Sequence, residues 1–503
     1  MIITAFALYL IMMLYIGYYY SRSKTSSSSE FYLGGRQLGP LVAAMSAEAS
    51  DMSSWLLMGI PGLAFITGLA SPLWTVLGLG IGTYLNWLFT TKRLRRYTIK
   101  LGAVTVPEFL SKRYHDKRNI LMAISAVVIL IFFIPYTSAG FKAVGVLLDS
   151  LFNIGYHESM IVGAFVVIAY TIMGGFMAVS TTDLVQSIVM TLALIIIVVF
   201  ALDLSDGITG VMENAKSLPG YLSAFNVHNN ETGAEEPYGF LTIISTMAWG
   251  LGYFGMPHIL LRFMAIKREE DIALSRRIAT IWVFISMFVA IAIGVVGYTV
   301  AKNGFLPMYE TTSAAESALI DLSHVLATYG VIPAFIAGIV LAGILASTMS
   351  TADSQLLTAA SSFSDNILRD VCGVKVSDRA SMHVARGTII VISVISLFLA
   401  WNPESSIFTI VSFAWAGFGA TFGPVMLASL FWKRTTLAGA VSGMIVGGIM
   451  IFVWKYLIAP MGGAWGIYEL LPAFVCGGVT IIVVSLCGKK PADDIINEFE
   501  SIK

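Results

Sequence analysis

Long apolar segments separated by short charged connections dominate the chain. Most are close to the about 20 residues that a helix needs to cross the apolar core of a bilayer. Runs such as 188–202 are continuously apolar, which excludes the alternating strands of a membrane barrel. The pattern predicts an all-α integral membrane protein with thirteen spans, at about 2–20, 40–68, 72–91, 120–148, 159–178, 184–202, 239–264, 278–300, 331–358, 387–401, 407–431, 437–457 and 464–486.

Composition narrows the class of protein further. Of 503 residues, 57% are hydrophobic and only 12% are charged, and the mean hydropathy is +0.82. These values exclude a soluble enzyme and a disordered chain. The 30 basic and 30 acidic residues cancel, so we expect no nucleic-acid partner. The lipid bilayer is the expected environment, and no obligatory protein partner is indicated.

The basic residues predict the sidedness of the spans. With the N-terminus outside, the inner connections and the tail hold 26 of the 30 basic residues, whereas the outer connections hold only Lys216 and Lys302. Cytoplasmic loops carry this excess of Lys and Arg. We therefore expect a multi-pass protein of the bacterial cytoplasmic membrane with a cytoplasmic C-terminus.

The first span lacks a basic leader and a cleavage site, so it is predicted to be retained. The serines at 26–29 are predicted to form a short inner linker.

Two spans contain residues that interrupt helices. The second reads MSAEASDMSSWLLMGIPG (45–62), with serines and carboxylates in its middle, and the seventh has Gly250, Gly252, Gly255 and Pro257 within eight residues. Each opens a group of five spans, and an odd number gives the two groups opposite topology. Broken helices at matching positions of inverted repeats mark the site of a secondary transporter. The alternative is two flexible hinges in unrelated helices.

This interpretation divides the chain into four parts. Residues 1–38 form the extra first helix and the inner linker, 39–202 the first five-helix repeat, 239–432 the second repeat, and 433–503 two extra helices with a short tail. All four belong to one transmembrane domain.

The ninth span carries a stripe of hydroxyl groups. Ser347, Ser350, Thr351 and Ser354 follow the i, i+3, i+4, i+7 spacing of one helical face and end beside Asp353. Such hydroxyls often bond only their own helix or a neighbouring helix. Together they suggest a site for a hard cation, which prefers oxygen ligands, and sodium fits this better than a transition metal.

Charged residues inside the spans are candidates for coupling. Asp51 persists in a bilayer only if it is paired or faces water or an ion, and Glu48 lies one turn away. We expect Glu48 to bind a proton without sodium and to release it when sodium binds. Lys142 has two possible positions, beside a carboxylate or turned towards the membrane surface. Asp183 precedes the sixth span and is placed at the inner interface, and His258 is interpreted as a capping or interface residue.

The short matches to enzyme motifs in this sequence do not support an enzymatic function. Residues 250–255 match GxGxxG without a preceding strand, so we reject dinucleotide binding. No Walker A sequence is present, so we do not expect ATP to drive transport directly. A channel would need a continuous polar pore, whereas the polar residues here cluster at mid-membrane. A transporter-like sensor would need a signalling domain, and the chain has only a short tail.

The chain resembles the sodium:solute symporter family over nearly its whole length, and within that family the bacterial sodium/proline symporters. The resemblance lies in the strings YLGGRQLGP (32–40), SDMSSWLLMGIPG (50–62), GGFMAVSTTDLVQ (174–186), WGLGYFGMPHILLRFMA (249–265), MSTADSQLL (349–357) and SFAWAGFGATFGPV (412–425). It implies a LeuT-type five-plus-five inverted repeat with one extra helix before it and two after it, and import of L-proline together with a sodium ion.

The resemblance also implies roles for individual residues. The sodium ligands would be the carbonyls of Ala49, Met52 and Ser347 and the hydroxyls of Ser350 and Thr351. Asp51 would match the family's sodium-critical aspartate, and Glu48 and Asp183, taken from the residues alone, are the other candidates for coupling or gating. The proline pocket would be formed by Trp55, Gly59, Tyr136, Trp249, Tyr253 and Pro257.

The sequence departs from the family pattern at four positions. Glu48 and Ser54 stand where better-known members have glycine, Met256 replaces a glutamine, and Ser347 replaces an alanine. Glu48 and Met256 therefore leave open a symporter for another small solute, or one driven by protons through Glu48.

Overall fold

The structure is a computed structural model that describes residues 1–21, 28–173, 175–230, 232–374 and 377–502. Several predicted features fall outside this part of the chain. They are the first half of the serine linker, the inner basic residues Arg22, Lys24, Lys375 and Lys503, and Glu231 of the outer connection.

Helices that match the thirteen predicted spans make up the molecule. They are α1 (Ile2–Ser21), α2 (Pro40–Ala49 and Trp55–Thr67), α3 (Ala70–Leu85, continued by Asn86–Thr90 and Thr91–Leu101), α4 (Ile120–Phe152), α5 (Tyr156–Met173), α6 (Phe176–Leu204), α7 (Phe240–Gly255 and Pro257–Ala265), α8 (Ile272–Lys302), α9 (Val331–Val371), α10 (Asp378–Leu399), α11 (Ile407–Phe431), α12 (Leu437–Val453, continued by Trp454–Ile458) and α13 (Leu470–Cys487).

Length and composition explain which helices look like ordinary spans. Within the described residues, nine helices are long and apolar enough to cross a membrane. The second half of α2, the first half of α7 and all of α5 are apolar but shorter. The last third of α3, TKRLRRYTIKL, is strongly basic, so only its first part resembles a span.

Several helices extend beyond their predicted bounds. α3 continues to Leu101, α6 begins at Phe176 rather than near 184, and α9 continues to Val371. The polar extensions contain no helix-breaking residue, and hydrophobicity alone cannot detect a helix that leaves the apolar layer. The predicted helix boundaries were therefore too short at these ends.

The connections contain short helices and one small sheet. The short helices include Ser28–Leu33, Val106–Arg113, Gly207–Lys216, Thr312–Ala315, Ala318–Ala327 and Asp493–Glu500. In the connection between α6 and α7, β1 (Asn226–His228) pairs antiparallel with β2 (Glu235–Pro237). The prediction of helices alone missed this hairpin, which lies outside the predicted spans, where strands are allowed.

The two broken helices lie at the centre of the bundle. The first half of α2 packs against α6 and α8, and the middle of α7 packs against α3 and α11. α9 contacts α1, α4 and α6 and passes beside the break in α2. Because α2 and α7 each open a group of five helices, the architecture agrees with two repeats of opposite topology.

Glycines allow α3 and α7 to approach closely. A Cβ atom on Gly82 would lie 2.4 Å from the Gly250 carbonyl oxygen, and one on Gly78 would lie 2.4 Å from the Met247 carbonyl oxygen. Small residues four apart are a usual solution for close helix packing in membranes. This contact holds the 3-10 helical segment of α7 against α3.

We predict that Gly82→Ala lowers the stability of the protein by about 1–3 kcal/mol, because the new methyl group overpacks a backbone contact. Gly297→Ala is the matched control, since its Cβ atom would meet only Phe65 at 3.7 Å. The melting temperatures of both variants, measured in detergent, give the comparison. Equal melting temperatures would show that α3 and α7 can separate without cost.

Candidate functional site

The break in α2 leaves backbone carbonyls at mid-helix, and each is bonded in a different way. The Ser46 carbonyl accepts from the Ser50 amide, and the Glu48 carbonyl accepts from the amides of Asp51 and Met52. The Ala47 carbonyl accepts from the Ser50 hydroxyl at 2.9 Å. The amides of Ser50 and Met52 thus keep helical bonds, whereas the Ala47 carbonyl loses its helical donor, the Asp51 amide, and takes the serine hydroxyl instead, as expected where serine competes for backbone groups.

The Ala49 carbonyl is bonded by another helix instead. It accepts a hydrogen bond from the Ser350 hydroxyl of α9 at 2.8 Å, and the Thr351 hydroxyl lies 3.5 Å away. The Ser350 hydroxyl also lies 3.1 Å from the Ser347 carbonyl oxygen. Four of the five predicted sodium ligands therefore lie together between α2 and α9, whereas the hydroxyl of Ser347 turns back to the Ile344 carbonyl.

Met52 is the fifth predicted ligand. It is fully buried in the break, where its amide bonds the Glu48 carbonyl. The carbonyls at the C-terminal end of a helix carry partial negative charge. The arrangement of carbonyl and hydroxyl oxygens around the end of the first half of α2 can therefore bind a hard monovalent cation.

The break in α7 has a different cause. Met256 is extended (φ −77°, ψ 107°) and Pro257 begins the second half of the helix. Proline disfavours a helical conformation in the preceding residue and suits the first helical position, where no N–H is needed. The proline thus separates the 3-10 segment from the last helical turns. Pro257 is buried at this junction.

The predicted aromatic residues meet where the two breaks face each other. The Trp55 and Trp249 rings stack with centroids 5.9 Å apart and an interplanar angle of 28°. Phe408 packs against Trp249 at 4.8 Å, and Gly59 leaves space for it, since a Cβ atom there would lie 3.3 Å from the Phe408 Cβ. Both indoles are buried, whereas Phe408, the third ring of this aromatic cluster, is only partly buried.

Tyr136 and Tyr253 bond the break itself. The Tyr136 hydroxyl donates to the Asp51 carbonyl at 3.1 Å, and the Tyr253 hydroxyl donates to Asp51 Oδ2 at 2.6 Å. The Trp55 indole N–H also donates to the Asp51 carbonyl, at 2.9 Å. Asp51 therefore connects α2, α4 and α7. Glu48 points to α3, where the Trp87 indole N–H donates to its Oε1 at 2.9 Å.

Asp183 occupies a place that the sequence did not predict. Its side chain is fully buried among helices, because α6 begins two turns earlier than expected. Its position at the inner membrane interface stays a prediction. It accepts from the Ser46 hydroxyl at 2.6 Å and pairs with Arg262 at 3.1 Å. Arg262 also donates to Ser354 at 2.5 Å, so this network joins α2, α6, α7 and α9.

His258 and Lys142 are also buried. His258 faces the backbone of Ser50, at the C-terminal end of the first half of α2, without a hydrogen bond of normal geometry. Its capping or interface role stays a prediction. Lys142 donates to Ser313 at 3.0 Å and lies 3.8 Å from Glu316. Of the two positions predicted for Lys142, the structure has the one beside a carboxylate.

Glu316 belongs to the connection between α8 and α9 and caps α11. It accepts from the Ser406 hydroxyl and from the amides of Ile407 and Phe408 at 2.8–3.1 Å. Burial raises the pKa of this carboxyl, and Lys142 and the helix amides oppose the rise. The connection is thereby attached to α4 and to the start of α11, where Phe408 contacts Trp249.

Sequence reasoning missed several residues of this region. Phe408, Trp415 and Tyr468 pack against the predicted aromatic residues, and Arg262 was interpreted as an ordinary inner charge. Arg262 follows the Pro257 break by five residues, so it falls inside a helix, and that position was the available signal. No comparable signal in the sequence pointed to the three aromatic residues, because aromatic side chains are equally common at lipid contacts and in the packed core.

Comparison with known proteins identifies the family. The model of the sodium:solute symporter family matches residues 31–447. The chain belongs to this family. Sodium/proline symporters of Staphylococcus aureus, among them those of strains USA300 and NCTC 8325, are 37% identical over 99% of this chain and 94% of their own length. The protein is thus a sodium-coupled solute symporter and not an enzyme, and sodium is a co-substrate rather than a cofactor.

Solved structures confirm the fold class. A sodium-coupled sialic acid symporter in a substrate-bound outward-open state has a TM-score of 0.78 at 19% identity and covers 98% of both chains. Mhp1, a transporter of the nucleobase-cation-symport-1 family, has a TM-score of 0.56 at 13% identity over 95% of both chains. Both likenesses support the LeuT-type five-plus-five arrangement predicted for this symporter.

Proposed function

We propose that this symporter imports L-proline together with sodium across the bacterial cytoplasmic membrane by alternating access. The observation that carries the proposal is the bond between the Ala49 carbonyl and the Ser350 hydroxyl across the break in α2. The sodium/proline symporters named above supply the solute. The N-terminus is outside and the C-terminus is cytoplasmic, and the two repeats are 39–202 and 239–432.

The sodium ion would replace the hydrogen bond between Ala49 and Ser350. Its ligands are the carbonyls of Ala49, Met52 and Ser347 and the hydroxyls of Ser350 and Thr351. Because these oxygens lie on α2 and α9, the ion stabilises the arrangement in which the two helices adjoin. A ligand shifts a conformational equilibrium by its different affinity for the two states. Sodium binding and solute binding are thereby coupled, and the coupling is reciprocal.

The solute would bind beside the same break. The Trp55–Trp249 pair, with Gly59, Tyr136 and Tyr253, offers aromatic faces to a pyrrolidine ring. The helix ends at Met52 and Pro257 offer backbone dipoles to the charged ends of an amino acid. Asp51 joins the two regions, because its carboxylate bonds Tyr253 and its carbonyl bonds Trp55. Asp183 holds the other side of α2 through Ser46.

Glu48 supports a second candidate, a symporter driven by protons or specific for another small solute. Its carboxyl is buried beside the break and bonds only one indole N–H among the described residues. A group in this position can carry a proton through the transport cycle. Sodium-driven and proton-driven transport are separated by imposing each gradient alone.

Uptake of labelled L-proline by proteoliposomes tests the function. We expect accumulation when an inward sodium gradient is imposed, and little accumulation with a proton gradient alone. Accumulation with the proton gradient alone would favour the second candidate. Sodium-dependent uptake of another amino acid, without competition from proline, would support sodium-coupled symport and contradict proline as the substrate.

The sodium ligands give a sharper prediction. Ser350→Ala and Thr351→Ala each remove one oxygen ligand, so the sodium concentration for half-maximal uptake should rise about tenfold or more, which corresponds to about 1.4 kcal/mol. Proline affinity at saturating sodium should change less. Ser347→Ala is the control, because its hydroxyl bonds only its own helix and its carbonyl remains. Wild-type sodium dependence in both ligand variants would reject this site.

Truncation of the aromatic residues tests the solute pocket. Trp55→Ala, Trp249→Ala and Tyr253→Ala remove ring faces worth about 0.5–1.5 kcal/mol beyond their buried area. The proline concentration for half-maximal uptake should therefore rise at least severalfold in each variant. Trp401→Ala, which changes an exposed indole, should leave proline affinity unchanged. Wild-type affinity in all three pocket variants would place the pocket elsewhere.

A further inference from the structure

An open groove of about 640 Å³ lies between α3 and the start of α8. The side chains that line it include Trp87, Leu88 and Lys92 of α3 and, around the first turns of α8, Glu269, Glu270 and Arg276. Closer to the centre of the bundle the two helices touch, because a Cβ atom on Gly80 would overlap the Phe284 ring. The groove therefore begins where α3 and α8 separate, next to the basic end of α3.

Four charged side chains line the groove, and they differ in their partners. Lys92 lies 2.9 Å from Glu269, which also pairs with Arg96 at 2.7 Å. Within the part of the chain that the structure describes, the side chains of Arg276 and Glu270 form no salt bridge. The groove therefore presents one cation and one carboxylate that are available to a ligand.

An aromatic ring, rather than a hydrogen bond, positions the Arg276 side chain. Its guanidinium carbon lies 5.2 Å from the centroid of the Tyr84 ring on α3. Its Nε is buried without a partner among the described residues, and so is the hydroxyl of Thr280, one turn further along the same face of α8. Buried polar groups are nearly always bonded. These two donors therefore indicate an acceptor that the described chain does not supply.

The groove extends from the apolar layer of the membrane to its surface. The predicted span of α3 ends at about residue 91, and that of α8 begins at about residue 278. On the apolar side, Tyr84 and Leu88 are 41% and 37% exposed and Ile281 is 60% exposed. Lipid tails are as apolar as these side chains. Basic pockets between transmembrane helices at the membrane surface bind lipid headgroups. A phospholipid therefore fits both ends of this groove.

We propose that the groove binds one phospholipid whose headgroup carries both a phosphate and a primary amine, as in phosphatidylethanolamine. The phosphate accepts from the Arg276 guanidinium, and the amine donates to the Glu270 carboxylate. An ester oxygen of the lipid accepts from Thr280, and an acyl chain lies along Tyr84 and Leu88. The inference goes beyond the proposed function, which needs no particular lipid.

The two headgroup charges make this site selective. Phosphatidylglycerol offers a phosphate to Arg276 but no cation to Glu270, so the carboxylate is left unpaired beside a negative headgroup. Phosphatidylcholine has a cation, but its methylated nitrogen has no N–H to donate. Only a primary amine both neutralises Glu270 and bonds it, and the site should therefore distinguish these three headgroups.

The lipid would also stabilise the region around the break in α2. Trp87 lines the groove, and its indole N–H donates to Glu48 Oε1 at 2.9 Å. The other side of this ring region packs against Phe263 of α7, with centroids 4.5 Å apart. A lipid in contact with Trp87 favours the arrangement in which Trp87 bonds Glu48. Transport should therefore be faster in a membrane that contains the lipid.

Lipid binding to the purified full-length symporter tests the site. Native mass spectrometry, after removal of endogenous lipid, counts bound molecules of phosphatidylethanolamine, phosphatidylglycerol and phosphatidylcholine with identical acyl chains and gives their Kd values. We expect about one tightly bound phosphatidylethanolamine per chain, with a Kd about tenfold or more below those of the other two lipids. Equal Kd values for the three lipids, or tighter binding of phosphatidylglycerol, would overturn the proposal.

Two variants separate the contributions of the two charges. Glu270→Gln should weaken phosphatidylethanolamine binding about tenfold without weakening phosphatidylglycerol binding, whereas Arg276→Gln should weaken both. Arg277→Gln is the matched control, because it removes an exposed neighbouring arginine that does not line the groove. Wild-type preference for phosphatidylethanolamine in either groove variant would place the lipid elsewhere. This measurement uses neither sodium nor proline, so its outcome is distinct from that of the proposed function.

Uptake in vesicles of defined composition tests the effect on transport. Adding phosphatidylethanolamine to phosphatidylcholine vesicles should raise the initial rate of sodium-dependent uptake severalfold for the wild type and Arg277→Gln. Arg276→Gln should show little increase, because its groove does not retain the lipid. Equal rates in both membranes for the wild type would contradict a contribution of this lipid to transport.

Discussion

Water is absent from the apolar layer of a membrane, so backbone groups released by a break in a helix must bond protein atoms or a ligand. The hydrogen bonds at both helix breaks in this symporter satisfy that constraint. In α2, backbone amides bond the Ser46 and Glu48 carbonyls, the Ser50 hydroxyl bonds the Ala47 carbonyl, and the Ala49 carbonyl is left to α9. The α7 break uses a proline that needs no N–H bond. The sites proposed for sodium and solute lie where these ends meet.

Buried charges provide the second set of connections between helices. Arg262 with Asp183 and Lys142 with Glu316 each join helices from different parts of the chain. Buried ion pairs contribute little net stability, but removing one partner is costly. The Arg262–Asp183 pair, with Ser46 and Ser354, can therefore hold α2, α6, α7 and α9 in one arrangement, and the Lys142–Glu316 pair connects α4 with the start of α11. The Glu48 and Asp51 carboxylates differ, because the donors that bond them, the Trp87 N–H and the Tyr253 O–H, are neutral.

The aromatic cluster links the proposed sodium site to the proposed solute site. Trp55 bonds the Asp51 carbonyl and stacks on Trp249, and Tyr253 bonds the Asp51 carboxylate while its ring contacts Trp415. A change in the break of α2 therefore reaches the surfaces proposed for the solute through one or two contacts. This short path is a physical basis for coupling that needs no long chain of intermediates.

The sequence by itself determined the helical class, the thirteen helices and the two breaks, because continuous apolar runs and helix-breaking residues act locally. The hydroxyl stripe of α9 was also visible, since helical spacing fixes which residues share a face. Only the tertiary structure decided which face meets which neighbour. It placed Asp183 beside Arg262, Lys142 beside Glu316 and Glu48 beside Trp87. These partners are distant in sequence, and hydrophobicity carries no information about which buried polar groups will meet.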